Sequence, residues 1–424
     1  MAVAARADMK TPRSPLPWIV KGLLLIGILL GLELAVWLSA SGIRLAMDGR
    51  VDFRNLYTAG YMVRTGHAHQ LYDYDHELAF QNSLVSPQPR PMPYLRPAYQ
   101  ALSLLPFSFL PYKAGYFAFM LFNGALLALS YRLLRPRLNS LATVSRFLPA
   151  AMFLLFVPVV FSLLQGQDSI AFLTLMALAF ISLEHGHEGW AGSLVGLGIW
   201  KLPILAPLGL LFLLWKRWRF VLGLSATATL CLAVSVWLVG IAQLDVYFHT
   251  LEGIKAVADI SQVTHYKFAA VVTAMPSLRG LLFALLHTHA SPGALFVLQL
   301  VVALPVLLLV ARCNRNARSS DLFLVAITAS CFVSYYLFAH DLSVVVIPIV
   351  LALDRSLAVS HVDKYEQWAG YSAALMFMAP ACGFFSPGHL YLLSLPLLLF
   401  LSYLSLAGPS AISGLRYPRP HRSQ

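Results

Sequence analysis

A short polar stretch, "DGRVDFRNLY" (residues 48–57), follows the first long apolar run of the chain. Asp52 stands there at the end of a predicted membrane helix, where a carboxylate can take the proton from a hydroxyl nucleophile. The alternative is a structural carboxylate paired with Arg50 or Arg54. Three cations lie in apolar surroundings: Arg96, Lys201 and Arg279. Such cations suit an anionic group such as a lipid phosphate. For Arg96 and Arg279 the alternative is headgroup contact or snorkelling. Lys201 sits in mid-run beside a proline, so its charge must face protein or water. The pair His340–Asp341 could bind phosphate or shuttle a proton; equally, Asp341 could cap the next helix. In "QGQD", Gln165, Gln167 and Asp168 could hydrogen-bond sugar hydroxyls, or form a plain turn with Asp168 as N-cap. Glu33 lies well inside the first apolar run and needs a partner. His67, His69, His76, His185 and His187 have no metal-ligand spacing, so neither a metal nor another cofactor is expected. Gly-rich phosphate loops, Walker motifs and nucleophile elbows are missing, which argues against a soluble nucleotide substrate.

The elements that must position these groups are membrane helices. Of 424 residues, 59% are hydrophobic and 11% charged, with mean hydropathy +0.72. Soluble domains average about 25% charged residues. The composition predicts an all-α polytopic membrane protein, one integral membrane domain over residues 1–424. A net charge of +12 would point to nucleic acid in a soluble protein. Here the basic residues sit in short loops and set topology, so no nucleic-acid partner is expected. Cys231, Cys313, Cys331 and Cys382 are too scattered for a disulfide framework or a zinc site. The run from about Trp18 to Ala40 is too long for a signal-peptide core and reads as the first membrane helix. No repeat of fixed period is visible.

Membrane segments are predicted at 18–40, 112–133, 147–164, 169–184, 190–215, 220–241, 293–311, 321–339, 342–353, 366–384 and 389–407. The basic clusters should face the cytoplasm: the N-terminal tail (Arg6, Lys10, Arg13), Arg132/Arg135/Arg137/Arg146, Lys216/Arg217/Arg219, Arg312/Arg315/Arg318, Arg355, and the tail with Arg416, Arg419 and Arg422. They all can do so only if 190–215 is a broken hairpin. "WKLPILAP" (200–207) offers the break, because proline removes a backbone donor and clashes with the preceding turn. That gives about twelve crossings with both termini cytoplasmic. Two long segments, 41–111 and 242–292, then face outward with "QGQD", the Lys201 tip and His340–Asp341. Within them, 55–63 and 101–111 read as surface amphipathic helices, "DVYFHTLEGIKAVADI" has the spacing of an amphipathic helix, Arg279 interrupts the apolar stretch 277–286, and 86–97 reads as extended.

The order of these pieces resembles the polyprenol-phosphate-mannose-dependent mannosyltransferases of glycosyltransferase family 87, within the GT-C membrane glycosyltransferases. The matching stretches are "VDFRNLYTAGYMVRTGHAHQLYD" (51–73), "LRPAYQALSLLPFSFLPYKAGYFAFMLFN" (95–123), "LLQGQDSIAFLTLMALAFISLE" (163–184), "WAGSLVGLGIWKLPILAPLGLLFLLWKRWR" (190–219) and "SYYLFAHDLSVVVIPIVLALD" (334–354). The resemblance covers the first 220 residues well and the rest loosely. It implies a GT-C-type fold with 11–12 membrane helices. It further implies inverting, metal-free transfer of a sugar from a polyprenyl-phosphate donor to a lipid or glycan hydroxyl outside the inner (cell) membrane. Asp52 matches the family's general base, His340 its phosphate-side histidine and Lys201 its lysine–proline break. Arg96, Arg279, Asp341, Gln165, Gln167 and Tyr57 fall among the groups expected at the donor phosphate or sugar. Arg96 stands where many members have a more neutral Tyr-Pro-Pro patch.

Two other readings share these residues. A transporter of lipid-linked sugars would use the cations without needing a base, but such proteins show repeats and polar groups near the midplane. A glycan polymerase or ligase with a pyrophosphate donor would carry a more arginine-rich outer loop.

Overall fold

The computed structural model describes residues 17–314, 317–358 and 364–407. The basic residues Arg6, Lys10, Arg13, Arg315, Arg416, Arg419 and Arg422 lie outside them. In chain order the helices are α1 (Trp18–Met47), α2 (Phe53–Arg64), α3 (Tyr74–Leu84), α4 (Tyr99–Leu102), α5 (Leu105–Ser108), α6 (Tyr112–Leu134), α7 (Asn139–Val144), α8 (Leu148–Leu155), α9 (Val157–Leu164) and α10 (Ser169–Glu184). There follow α11 (Glu188–Leu197), α12 (Leu202–Leu214), α13 (Trp218–Val239), α14 (Ala242–Glu252), α15 (Leu278–Leu286), α16 (Pro292–Cys313), α17 (Ser319–Val333), α18 (Val346–Ala358), α19 (Lys364–Gly383) and α20 (Ser394–Leu406). The architecture is all-α and polytopic, as expected. The departure is one small parallel pair, β1 (Lys255–Val257) with β2 (Ala269–Val271). It corrects the helix expected through "DVYFHTLEGIKAVADI", which stops at Glu252.

Five helices are long and apolar enough to cross a membrane alone: α1, α6, α13, α16 and the helix ending at Leu406. The other expected segments are short or broken, except α19, a continuous helix of 20 residues with a polar first turn. Residues 147–164 break at Phe156, whose ψ of 112° leaves the helical region just before Pro158. The helix expected over 321–339 ends at Val333, and 342–353 opens as a 3₁₀ turn. Helices α10 and α17 have 16 and 15 residues. At 1.5 Å per residue they span roughly 24 Å, less than the ~30 Å hydrocarbon core. They tolerate this because neighbouring helices surround them; every residue of α17 from Ser320 to Val333 is buried.

The break at 190–215 is present. Helices α11 and α12 bend by 74° around the 3₁₀ turn Ile199–Lys201. Two observations make it a hairpin. Arg217, beyond α12, reaches back to Glu188 at the start of α11 (3.5 Å). Helices α11 and α13 also run parallel through a glycine seam. A Cβ on Gly192 would lie 2.0 Å from the Phe220 carbonyl, and one on Gly196 2.5 Å from that of Leu224. Only glycine allows this approach.

Described residues of the predicted cytoplasmic clusters form ion pairs around one end of the bundle. Arg137 pairs with Glu184, Arg217 with Glu188 and with the Ala317 carbonyl, and Arg355 with Asp321 at 2.6 Å. Asp354 accepts the Leu141 N–H at 2.8 Å. Helices α11 and α17 run from this ring toward the opposite end, where the candidate site lies, and α10 runs back from the site to the ring.

In the outer segment the buried Glu77 accepts the Tyr94 N–H at 2.8 Å. Burial pushes its carboxyl well above the usual range. A raised folded-state pKa means the contribution to folding is complete below the unfolded value of about 4.3 and is lost as pH rises. Glu77→Gln keeps an acceptor for Tyr94. Its thermal midpoint in detergent should therefore hold up better than wild type as pH rises from 5 to 8; parallel curves would place Glu77's proton elsewhere.

Candidate active site

The site grows from the join between two turns. Helix α1 ends at Met47, and Asp52 is the N-cap residue of α2. The Phe53 N–H donates to the Gln165 carbonyl at 3.0 Å, laying the start of α2 on the turn between α9 and α10. Gly166 makes the fit possible. Its φ is +60°, and a Cβ there would lie 2.7 Å from the Phe53 Cβ. Gly166→Ala should cost roughly 1–3 kcal/mol from the backbone alone and part Asp52 from Gln167. Thermal unfolding and transfer activity should fall together; a variant with wild-type values in both would sink this account.

Gln167 joins two charges of opposite sign. Its Nε2 donates to Asp52 Oδ2, and its Oε1 accepts from Arg96 at 2.8 Å. The charged neighbours dictate the amide orientation, since an arginine only donates and a carboxylate only accepts. Asn123 on α6 holds the Gln167 carbonyl at 3.2 Å. Neither Arg50 nor Arg54 pairs with Asp52. Arg54 is buried and bonds to Gln81, Asn82, Ser86 and the Gly49 carbonyl, which clamps α2 to α3.

Asp168 is the hub. Arg96 Nε sits 2.6 Å from its Oδ2 and Lys201 Nζ 3.0 Å from its Oδ1. Gln100 adds a bond at 3.3 Å. Burial opposes the charge, but Arg96 and Lys201 outweigh it and hold the Asp168 carboxyl below the usual range. Lys201 also contacts Asp341 Oδ1 at 2.6 Å and Ser169 Oγ at 3.2 Å. It therefore hydrogen-bonds to Asp341 and Ser169 and forms an ion pair with Asp168, whose Oδ1 accepts no hydrogen bond among the described residues. Asp341 Oδ2 accepts the Phe338 N–H at 3.0 Å from the third position of the 3₁₀ turn Ala339–Val345, so Asp341 is not itself the N-cap expected from the sequence.

His340 lies between the rings of Phe161 and Phe338, with centroids 6.4 and 6.1 Å away. Its Nε2 is 3.5 Å from Asp341 Oδ1, and its buried Nδ1 has no partner among the described residues. Arg279 stands on the rim. It donates to the Tyr335 carbonyl at 2.8 Å and stacks over that ring at 3.8 Å. Tyr336 lies within electrostatic range of Asp52, Asp341, Arg96 and Arg279.

Asp52, Arg96, Gln167, Lys201, His340 and Asp341 thus converge. Two sequence candidates point elsewhere. Tyr57 turns into the core of the outer segment, its hydroxyl donating to the Leu110 carbonyl at 2.7 Å. Gln165 contributes its backbone carbonyl, while its side chain bonds to no described residue. Sequence reasoning missed Gln100 and Ser169 and undervalued Asp168, whose carboxylate makes no cap bond to α10. The usable signal was Lys201: a buried ammonium requires carboxylates, and Asp168 and Asp341 are the nearby turn residues able to supply them.

The model of glycosyltransferase family 87 matches residues 94–335, more than half the chain. The chain belongs to glycosyltransferase family 87. No curated protein and no solved structure is significantly similar to it. As a family 87 member it is a membrane glycosyltransferase, a multi-pass helical enzyme working on lipid and glycan substrates. The family match contains Arg96, Gln167, Asp168, Lys201 and Arg279. Asp52, Tyr57, His340 and Asp341 lie outside it; their places in or near the site come from the geometry above.

Proposed function

We propose that this glycosyltransferase moves one sugar, mannose on the family resemblance, from a polyprenyl phosphate to a hydroxyl of a lipid-linked or glycan acceptor, with inversion and with Asp52 as general base. One observation carries the assignment of the base. Asp168 and Asp341 are held by cations, whereas no described cation lies within ion-pair distance of Asp52 and no described residue donates to its Oδ1. A carboxylate bound to cations is a poor proton acceptor; Asp52 is held only by a neutral amide at Oδ2, which leaves Oδ1 open to the acceptor hydroxyl. The acceptor oxygen attacks the anomeric carbon and its proton passes to Asp52. The bond from that carbon to the phosphate oxygen breaks, and its electron pair leaves with the phosphate. Attack from the face opposite the phosphate inverts the centre.

The leaving phosphate needs positive charge or donors. Lys201, set between two carboxylates, fits a different role from the one its sequence suggested: it holds Asp168 and Asp341. Groups with free donors or sites are Arg279, the third nitrogen of Arg96 and His340 Nδ1. The ring of basic residues at the opposite end supports cytoplasmic placement of that end and of both termini. The reaction then occurs on the outer side of the cell membrane.

The test is transfer of label from polyprenyl-phosphate-[¹⁴C]mannose to lipid in proteoliposomes of the purified chain, with and without EDTA. Labelled glycolipid in both samples is the expected result. Movement of intact donor across the bilayer without transfer would overturn the proposal in favour of a transporter.

A further inference from the structure

Helix α17 ends at Val333, and the next helical turn begins at Ala339. The residues between them, Ser334 to Phe338, are irregular, and Ser334 and Leu337 are fully buried. Buried backbone outside a helix must find its partners elsewhere in the protein. Here side chains supply them. Gln299 Nε2 donates to the Val333 carbonyl at 3.2 Å, Arg279 to the Tyr335 carbonyl at 2.8 Å, and Ser334 Oγ to the Tyr336 carbonyl at 3.1 Å. The Phe338 N–H donates to Asp341 Oδ2. Four bonds therefore fix a short stretch that no helix supports.

Most side chains of this stretch are accounted for. Tyr335 lies under Arg279 and against Phe296, with ring centroids 5.4 Å apart. Leu337 belongs to the main core, and Phe338 flanks His340. Tyr336 is the exception. Its ring packs edge-on against Phe338 at 5.1 Å and joins the cluster of Val272 and Met275 from the outer segment. Its hydroxyl makes no hydrogen bond to a described residue, and it is not sealed among the buried polar atoms. A half-buried tyrosine hydroxyl normally has a partner. The residue lies within electrostatic range of Asp52, Asp341, Arg96 and Arg279. It thus stands between the carboxylate that faces the acceptor hydroxyl and the cations available to the phosphate. The part of the donor that lies between those two is the sugar, and a phenol, neutral and able both to donate and to accept, suits a sugar hydroxyl.

We propose that Tyr336 is a donor-sugar contact: its hydroxyl hydrogen-bonds to a hydroxyl of the hexosyl group being transferred. The assignment rests on the sugar-transfer reading with Asp52 as base. It makes Tyr336 a determinant of sugar specificity, because a site built to pair with a substrate hydroxyl discriminates against the analogue that lacks it.

The experiment compares wild type with Tyr336→Phe in proteoliposomes, using polyprenyl-phosphate mannose and each of its singly deoxygenated analogues as donors. Phenylalanine keeps the ring contact with Phe338, so the melting curve should match wild type. With the mannose donor, Tyr336→Phe should lose about tenfold in kcat/KM, the value of one hydrogen bond. One deoxy donor should cost wild type a similar factor and cost the variant nothing more, since the contact is already gone. Each comparison is a ratio between donors within one protein, so an inactive fraction of the variant cancels. Wild-type rates in Tyr336→Phe would overturn the assignment. So would losses that multiply for every deoxy donor, which would place the hydroxyl at the phosphate or in the fold. If wild type bound the donor without transferring its sugar, the transfer reading would fail. The same donor series read as Kd would then still decide whether Tyr336 contacts the sugar.

Discussion

Asp52→Asn should lower kcat for sugar transfer by about 10²–10⁴, the usual contribution of a positioned general base. Donor KM and thermal stability should stay near wild type. The asparagine oxygen can still accept from Gln167 Nε2, so the Arg96–Gln167 chain remains intact. What disappears is the ability to take the proton from the acceptor hydroxyl as it attacks. The result is read from initial rates with the labelled donor, beside a melting curve of the same preparation. Transfer within tenfold of wild type would move the base to another group. Asp168 and Asp341 are the other carboxylates of the cluster, and each would first have to give up a cation.

Lys201→Met should behave differently: it should unfold more easily, not merely turn over more slowly. Lys201 is buried and stands between two carboxylates, at 3.0 Å from Asp168 and 2.6 Å from Asp341. Methionine fills similar volume but leaves Asp341 with Ser169, the Phe338 N–H and His340 at 3.5 Å, and no lysine. Breaking one side of a buried ion pair costs about 3–5 kcal/mol, because a charge is stranded away from water. A sharp fall in melting temperature, with activity lost even at saturating donor, is the expected pattern. A phosphate-binding lysine would give another: a stable fold and a large rise in donor KM alone. The two enzymes can be compared with Asp52→Asn in one experiment, since that variant should show the reverse division between stability and rate.

The location of the site was legible in the sequence because polar residues are rare enough in this chain to be conspicuous. Asp52, Lys201 and His340–Asp341 each interrupt an apolar run, and the charge-based topology placed them at one level. The hairpin at 190–215 followed from the positions of basic loops, a constraint that acts over the whole chain. What the sequence withheld depends on distances. Lys201 reads from the sequence as a phosphate or pyranose contact; only the geometry sets it between Asp168 and Asp341. Tyr57 shares a stretch with Asp52, yet five residues along α2 it faces the opposite environment, packed on Phe53 and Tyr112. The short pair β1–β2 had no periodic signal, because three-residue strands are too brief to show alternation. Helix α3 was likewise missed, its polar sequence held in place by the buried Arg54 clamp and not by an apolar stripe.

The shortness of α10 has a consequence for side reactions. Its 16 residues separate Asp168 from the ring at Glu184 by roughly 24 Å, several ångströms short of a full hydrocarbon thickness. On the proposed mechanism and placement, the reacting carbon would meet its acceptor below the level of the headgroups, with segments 41–111 and 242–292 above it. An activated glycosyl donor is vulnerable to water, and a recessed cleft limits how much water competes with the acceptor hydroxyl. The ratio of glycosyl transfer to donor hydrolysis is thus set in part by helix length, as a ruler sets a depth. Lengthening α10 by one turn would raise the polar cluster toward bulk solvent and let hydrolysis gain on transfer.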